Sequence, residues 1–338
     1  MLRRFLAAVL ASAILTASVP AARAETKLRF ALDWIPGSTH AAFLIAQQKG
    51  YYKAEGLDVT IDPGKGSTEV VRQLAAGLYD MGFPDINVLM EFNARNPDQA
   101  FRAVMSGYEQ APAAIVFLRK SGISEPAQLA GRKLGSAPHD STFKLFPVFA
   151  KRNGFDPDSV KVQSIEPSLR EVLLARGDVD AVPGQVFNSY IALKAKGVKA
   201  EDIQYFMYSD HGLSLYANSI AVSRRFAEQH PEAVRAFLRA SVKGLRDLVR
   251  DPEEGVRAAL TFQPLLNAEV ERERLAIAMK CCLVTERVLK DGWGVLDEDR
   301  LAKGIALIVQ SYGLPRSPAV AEVYDPSFLP SRDERMVR

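Results

Sequence analysis

Eight consecutive residues, Asp33-Trp34-Ile35-Pro36-Gly37-Ser38-Thr39-His40, carry the side chains best suited to gripping a small molecule. They set an indole and an imidazole, Trp34 and His40, around a Pro-Gly turn at the mouth of a helix, where the first backbone N–H groups lack an intrahelical partner. An aromatic face beside an imidazole suits a planar molecule with polar edges. The same residues would serve equally in a plain role, with Trp34 packed in the core and His40 merely opening the helix. Two further turns present polar groups in the same way. Gly64-Lys65-Gly66-Ser67-Thr68 departs from the G-x-x-x-x-G-K-[ST] order of a nucleotide-binding loop. It still offers the hydroxyls of Ser67 and Thr68 and free amides at a helix start, which fits a ligand oxygen. Gly135-Ser136-Ala137-Pro138-His139-Asp140-Ser141-Thr142 repeats the arrangement further along, with Ser136, Ser141 and Thr142. Either could also be an ordinary capped turn.

Catalytic signals are sparse. There is no G-x-S-x-G elbow, and no Cys lies in a reactive context. The two cysteines, Cys281 and Cys282, are adjacent within a stretch that reads as buried helix, Ala276–Thr285. Neighbouring cysteines form a strained disulfide, so packed thiols are expected. No CxxC, HExxH or His–carboxylate cluster at ligand spacing occurs, so neither a metal nor another cofactor is expected.

The elements that must position these loops alternate. Leu28–Leu32 reads as a strand, His40–Lys49 as a helix closed by Gly50, and Leu57–Ile61 as a second strand. Ser67–Ala76 follows as a helix that Ser67 or Thr68 can cap. Met81–Phe83 then leads through Pro84 and Asp85 into another helix. The rhythm restarts near Ala113, with strands at Ala114–Leu118, Lys133–Ser136, Val160–Ile165 and Val179–Val182, and helices at Thr142–Asn153 and Pro167–Arg176. Asn218–Val222 returns as a strand before helices such as Pro231–Val249 and Glu298–Ser311. From Asp325 on, a polar stretch with two prolines is expected to be a surface tail. This order predicts an α/β fold with mainly parallel sheets, whose ligand loops lie at the carboxyl ends of the strands.

Residues 1–24 combine Arg3 and Arg4, an apolar run from Phe5 to Ile14 and the terminal Ala22-Arg23-Ala24. That is the pattern of a cleavable export signal, cut after Ala24, because the run is about half of the ~20 apolar residues that a spanning helix needs. A periplasmic location follows. The chain has 338 residues, 48% of them hydrophobic, with 43 Lys+Arg against 40 Asp+Glu. Such a composition excludes a disordered, collagen-like or coiled-coil chain, and its slight surplus of charge gives no nucleic-acid footprint. Removing residues 1–24 takes away three arginines and no acid, so the excess of +3 belongs wholly to the leader.

The run L-D-W-I-P-G-S-T-H-A-A-F-L-I-A-Q-Q-K-G-Y-Y-K-A-E-G-L-D-V, Leu32–Val59, resembles the opening of solute-binding proteins grouped with the thiamine-pyrimidine synthases and with the sulfonate, nitrate and taurine binders of ABC importers. Gly66–Gly82, Ser121–Gly135, Gly177–Val182 and Pro231–Ala240 extend the likeness over nearly the whole chain beyond the leader. The D-W-x-P-x-x-x-H form is nearer to the pyrimidine-binding branch. The resemblance implies a type II periplasmic-binding fold. One discontinuous lobe would span residues 25–112 and 217–338, the other 113–216, with a ligand cleft between them. By similarity, Trp34 would wall the ligand and His40 would border it. Hydrogen bonds would come from Ser67 and Thr68, from Asp85, from Ser136 with Ser141 and Thr142, and from Gln185 with Asn188.

The synthases of this group carry a Lys two residues after D-M-G, a His four further on, and a Cys-rich motif. Here Asp80-Met81-Gly82 is followed by Phe83, Pro84 and, at the His place, Val88, while Asp210–Ser219 holds no Cys. The expectation is therefore a monomeric, non-catalytic substrate-binding subunit whose closed form docks on a membrane permease with its ATPase. The alternatives are a pyrimidine-processing enzyme using His40, or a ligand-sensing protein. Helix N-termini favour an anion and Trp34 a flat ring, so an aminopyrimidine, a flavin-like molecule, an aromatic carboxylate and a small sulfonate all stay open.

Overall fold

A computed structural model describes residues 25–337; the expected export signal, residues 1–24, with its cut after Ala24, lies outside them. Among the described residues, ten strands form two separate five-stranded sheets. In the first, β1 (Thr26–Ala31) pairs in parallel with β2 (Leu57–Asp62) and β3 (Met81–Gly82), and the order continues through β10 (Ser219–Ser223) to β4 (Phe101–Ser106). The second comprises β5 (Ala113–Leu118), β6 (Lys133–Ser136), β7 (Lys161–Ser164), β8 (Ala181–Gln185) and β9 (Ile203–Met207), in the order β7-β6-β8-β5-β9. Both sheets are mixed, and in each the antiparallel member is the strand that arrives from the other lobe. That strand is β10 in the first lobe, against β3 and β4, and β5 in the second, against β8 and β9. The result is the two-lobed type II binding-protein architecture.

Burial explains the pattern of each strand. In β5, AAIVFL, all six residues are buried, as a strand covered on both faces requires. β2, an edge of the first sheet, alternates buried and exposed, and β7, an edge of the second, is exposed throughout. Against the first sheet packs the helix Pro231–Arg250, whose apolar stripe includes Phe237, Leu238, Leu245 and Leu248. Phe237 meets Phe30, Phe43 and Tyr52 with ring centroids 4.7, 6.3 and 5.0 Å away. Gly244 lets that helix press on the helix Ala41–Gln48, since a Cβ there would lie 2.0 Å from the Ala42 carbonyl oxygen.

The lobes join through the segments 107–112 and 208–218. Asn218 ties the junction together: its carbonyl accepts the Gly107 and Tyr108 N–H groups at 2.8 and 3.1 Å. Its side-chain Nδ2 donates to the Phe83 carbonyl at 2.8 Å.

Several local expectations change. The helix beginning at Ser67 is preceded by Gly66 at its N-cap and has no side-chain cap; the Ser67 hydroxyl instead accepts the Asp85 N–H at 3.0 Å. The stretch expected as one helix, Thr142–Asn153, is two, Ser141–Lys144 and Phe146–Arg152, because Pro147 has no N–H to continue the ladder. Cys281 and Cys282 fall in a π-helical turn, Met279–Leu283, as free thiols, Cys282 buried and Cys281 half-buried. The C-terminal stretch is no loose tail. Arg335 is buried, and its guanidinium donates to the carbonyls of Pro330, Asp291 and Trp293 at 2.9, 3.4 and 3.0 Å. Among the described residues no helix is long and apolar enough to cross a membrane.

Candidate functional site

The loops that follow β1, β2 and β3 face those that follow β6, β7 and β8. Carboxyl ends of parallel strands from both lobes thus open onto one cleft. Its walls are Asp33, Trp34, Gly66 and Ser67 from the first lobe and Asp140, Ser141, Thr142, Arg170, Gln185 and Asn188 from the second. Little space is left between these walls, a cavity of about 20 Å³, room for roughly one water. The lobes are shut. Glu91 and Lys144 pair across the cleft at 2.8 Å, Lys144 also accepts the Tyr312 hydroxyl on its carbonyl, and the Thr68 N–H reaches the His139 carbonyl at 3.3 Å.

Seen from the first lobe, the loop after β1 is stiffly held. His40 lies behind Asp33 rather than in the wall. Both are buried, and the imidazole Nε2 meets Asp33 Oδ1 at 2.9 Å while Nδ1 faces the Gly37 N–H at 3.4 Å. That pattern suits a neutral imidazole protonated on Nε2, which donates to the carboxylate. From outside, the buried Glu271 accepts the Ser38 N–H on Oε2 at 2.8 Å, and its carbonyl accepts the Ser38 hydroxyl at 2.9 Å. Gly37 makes room for this contact, since a Cβ would lie 3.0 Å from Glu271 Oε2 and the carboxylate would have to give by a few tenths of an ångström. Trp34 is left facing the cleft.

Across from it stands Arg170, which sequence reasoning does not single out. In Pro167-Ser168-Leu169-Arg170-Glu171 it looks like half of an exposed charge pair on a helix start. It is in fact 2% exposed, with Cζ 5.1 Å from the Trp34 ring centroid. Its guanidinium donates to Asp140, to Glu171 at 2.7 and 2.8 Å and to the Ser189 hydroxyl at 3.2 Å. Burial pushes the Asp140 carboxyl up, against the pull of Arg170. Burial pushes Glu171 up as well, but Arg170 and the Ser189 hydroxyl hold it below the usual range. One cation shared by two carboxylates leaves the trio with a net negative charge.

Of the expected site residues, the structure brings Trp34, Ser67, Ser141, Thr142, Gln185 and Asn188 to the wall, and sets His40, Thr68, Asp85 and Ser136 behind it. Asp85 is buried, caps the helix Ile86–Arg95 by accepting the Asn87 N–H at 2.8 Å, and has its carboxyl pushed up to about 6 by burial. The Ser136 hydroxyl donates to the Ala137 carbonyl at 3.2 Å. Thr68 has a buried hydroxyl with no hydrogen-bond partner among the described residues. Asp33, Gly66 and Asp140 belong to the wall although sequence reasoning names none of them as ligand contacts. Asp140 was legible in principle, because Asp-Ser-Thr before a helix is a cap signature. By accepting the Thr142 and Phe143 N–H groups it occupies the helix start that an anion would otherwise use. No group of three or more His, Cys, Asp or Glu side chains placed to hold a metal ion occurs among the described residues.

With this geometry in place, residues 38–255 match the family described as NMT1/THI5 like. The chain belongs to that family. It is 29% identical over 259 residues to a formylaminopyrimidine-binding protein of Halalkalibacterium halodurans, covering 74% of this chain and 76% of that one. It is 28% identical over 256 residues to the riboflavin-binding protein RibY of Chloroflexus aurantiacus, covering 73% and 70%. A Saccharomyces cerevisiae 4-amino-5-hydroxymethyl-2-methylpyrimidine phosphate synthase, THI13, is 25% identical over 253 residues, 72% and 73% of the two chains. In three dimensions the fold matches the alkanesulfonate-binding protein SsuA of Xanthomonas axonopodis pv. citri, solved with MOPS, with a TM-score of 0.68 and 17% identity over 89% of this chain and 98% of that one.

Proposed function

We propose that this protein is the extracytoplasmic substrate-binding subunit of an ABC importer, and that it captures a planar, N–H-bearing heteroaromatic of the aminopyrimidine class by lobe closure. The observation that carries this reading is the opposition of Trp34 and Arg170 across the cleft, 5.1 Å from ring centroid to Cζ. A flat ring between them needs about 3.5 Å on each face, roughly 7 Å in all, so the indole and guanidinium must separate by ~2 Å to take it in. Indole and guanidinium would then stack on its two faces.

The edges of the ring would meet Asp33 and Asp140, which accept N–H donors, and Gln185, Asn188, Ser67 and Ser141, which can do either. The cation in the wall, Arg170, is already shared by two carboxylates, which favours a donor-bearing ring over an organic anion. We read the protein as having no catalytic step. His40, the acid–base candidate of the enzyme alternative, is 2% exposed and engaged on both ring nitrogens. The places that carry Lys and His in the synthases hold Pro84 and Val88. Lobes bounded near residues 112 and 216, a monomeric state, a permease with its ATPase as partner, and export with cleavage after Ala24 complete the proposal.

The test is thermal shift and calorimetry on residues 25–338 with formylaminopyrimidine, riboflavin and MOPS. Formylaminopyrimidine is expected to raise the melting temperature in proportion to saturation, and MOPS to leave it unchanged. Trp34→Ala should weaken binding by at least tenfold. Binding of MOPS alone, or full affinity in Trp34→Ala, would sink the reading.

A further inference from the structure

The helix Ala268–Ala278 belongs to the first lobe but runs along one side of the cleft against the helix Val186–Ala195 of the second. Toward its own lobe it fixes the Trp34 loop through Glu271 and Ser38. One turn further it reaches across. Glu273 pairs with Lys194 at 2.5 and 2.8 Å, and Arg274 Nη1 donates to Asn188 Oδ1 at 3.3 Å while Nη2 lies 3.3 Å from Glu271. From Asn188 the bonds run on to the pivot. Asn188 Nδ2 donates to Gln185 Oε1 at 3.0 Å, Gln185 Nε2 donates to Asn218 Oδ1 at 3.1 Å, and Asn218 knots the two crossing segments. Each amide donates in the same direction, so the series is satisfied end to end.

We propose that the helix Ala268–Ala278 is a closure strap: Glu273 and Arg274 grip the second lobe only when the cleft is shut, and so set how long a ligand stays rather than which ligand enters. The helix Val186–Ala195 starts at the pivot and acts as a lever. Gln185 is bonded to Asn218 itself, whereas Lys194 lies nine residues on, about 13 Å along the axis. Any opening about the pivot therefore moves the Lys194 end most and the Gln185 end least. Such opening is compulsory, because the closed cleft has room for about one water. The Glu273–Lys194 pair, at the far end of the lever, is parted most, while the bond from Arg274 to Asn188 lies nearer the pivot but at 3.3 Å is already long, so a smaller movement breaks it; neither side chain lines the cleft. Contacts made only in the closed state shift the equilibrium toward it by their own free energy.

Arg274 also neutralises the buried Glu271, so its conservative variant is the informative one. The proposal concerns closure, and only its ligand arm rests on the proposed function. Glu273→Lys, the exchange Glu273→Lys with Lys194→Glu, and Arg274→Lys would be compared with the parent protein. Small-angle scattering would be recorded without ligand, and formylaminopyrimidine release followed by stopped-flow tryptophan fluorescence. Glu273→Lys should enlarge the radius of gyration and speed release about fivefold with association changed less than twofold. The exchange should restore most of both, and Arg274→Lys should speed release about fivefold with the ligand-free melting temperature unchanged. An unaltered radius and release rate in Glu273→Lys, or an exchange that restores neither, would overturn the strap. Should formylaminopyrimidine not bind at all, the proposed ligand falls and the scattering comparison alone decides the strap.

Discussion

Gly66→Ala should hold the lobes apart. Gly66 sits at φ 128°, ψ 148°, in a region that L side chains rarely adopt, and it faces the second lobe directly. A Cβ added there would lie 2.2 Å from the His139 carbonyl oxygen and 2.5 Å from its carbon, against 3.4 Å for ordinary contact. The obstacle on both sides is backbone, so the lobes must part by roughly 1 Å at this point, enough to break the 3.3 Å bond from the Thr68 N–H to the same carbonyl. A ligand that keeps one lobe's hydrogen bonds but loses two from the other forfeits ~2–3 kcal/mol, or about 30- to 150-fold in affinity. The backbone penalty alone would also lower stability, by ~1–3 kcal/mol. Gly77→Ala separates the two effects. Gly77 closes the same helix at φ 70° with nothing within 4 Å of an added methyl, so its variant should lose ~1 kcal/mol of stability and keep full affinity. Calorimetric titration and small-angle scattering read the difference. If Gly66→Ala binds as tightly as Gly77→Ala, with the parent's radius of gyration, the lobes do not meet at Gly66 during binding and the closure geometry argued above is wrong.

Other consequences are direct. Burial raises the Asp85 carboxyl to about 6, so its proton is held more tightly in the folded protein; the stability this contributes is full below pH ~4 and lost as pH rises through ~6, at most ~3 kcal/mol. Asp85→Asn, which can still accept the Asn87 N–H, should match the parent's melting temperature near pH 4 and exceed it at pH 7.5. Arg335→Ala should cost ~2–4 kcal/mol in urea unfolding, because it strands the Trp293 and Pro330 carbonyls and empties a buried site; a loss under 0.5 kcal/mol would mean that the C-terminal stretch is not integral to the fold. Asp33→Asn should weaken formylaminopyrimidine binding at least tenfold while leaving the scattering curve unchanged, since the amide still reaches His40 but presents a weaker acceptor.

The sequence made the frame legible and the site's polarity illegible, for physical reasons. Strand–helix alternation is written locally, so β1, β2, β5 and β10 can be read from their apolar runs and the helix Pro231–Arg250 from its stripe. The strand Phe101–Ser106 escapes such reading because Arg102 and Ser106 interrupt its alternation; only pairing with β10 makes it a strand. The helix Val186–Ala195 and the strand Ile203–Met207 escape it for the same reason, as their patterns take meaning from β5 and from the helix Ala268–Ala278. Trp34 and Ser141 can be found because loop residues at helix starts announce themselves. Arg170 cannot, since what makes it a wall residue is burial against Asp140, thirty positions earlier, and against Trp34 of the other lobe. The polar C-terminal stretch looks dispensable because its anchors, the buried Arg335 guanidinium among them, are satisfied largely by backbone carbonyls that leave no trace in composition.

On the proposed reading, charge placement accounts for how a protein formally neutral over residues 25–338 discriminates. A free guanidinium in a dry cleft would draw any anion, whereas here Asp140 and Glu171 saturate Arg170 and turn it into a flat, immobile surface. Asp140 also uses up two helix-start amides, and with Asp33 it lines the cleft, so on the proposed reading an entering carboxylate or sulfonate meets like charge on desolvation. A neutral aminoheterocycle pays no such cost, and its N–H groups pair with acceptors already oriented: Asp33 by His40, Asp140 by Arg170 and two backbone amides. On that reading, selectivity in this cleft comes from acids that the fold has positioned before any ligand arrives.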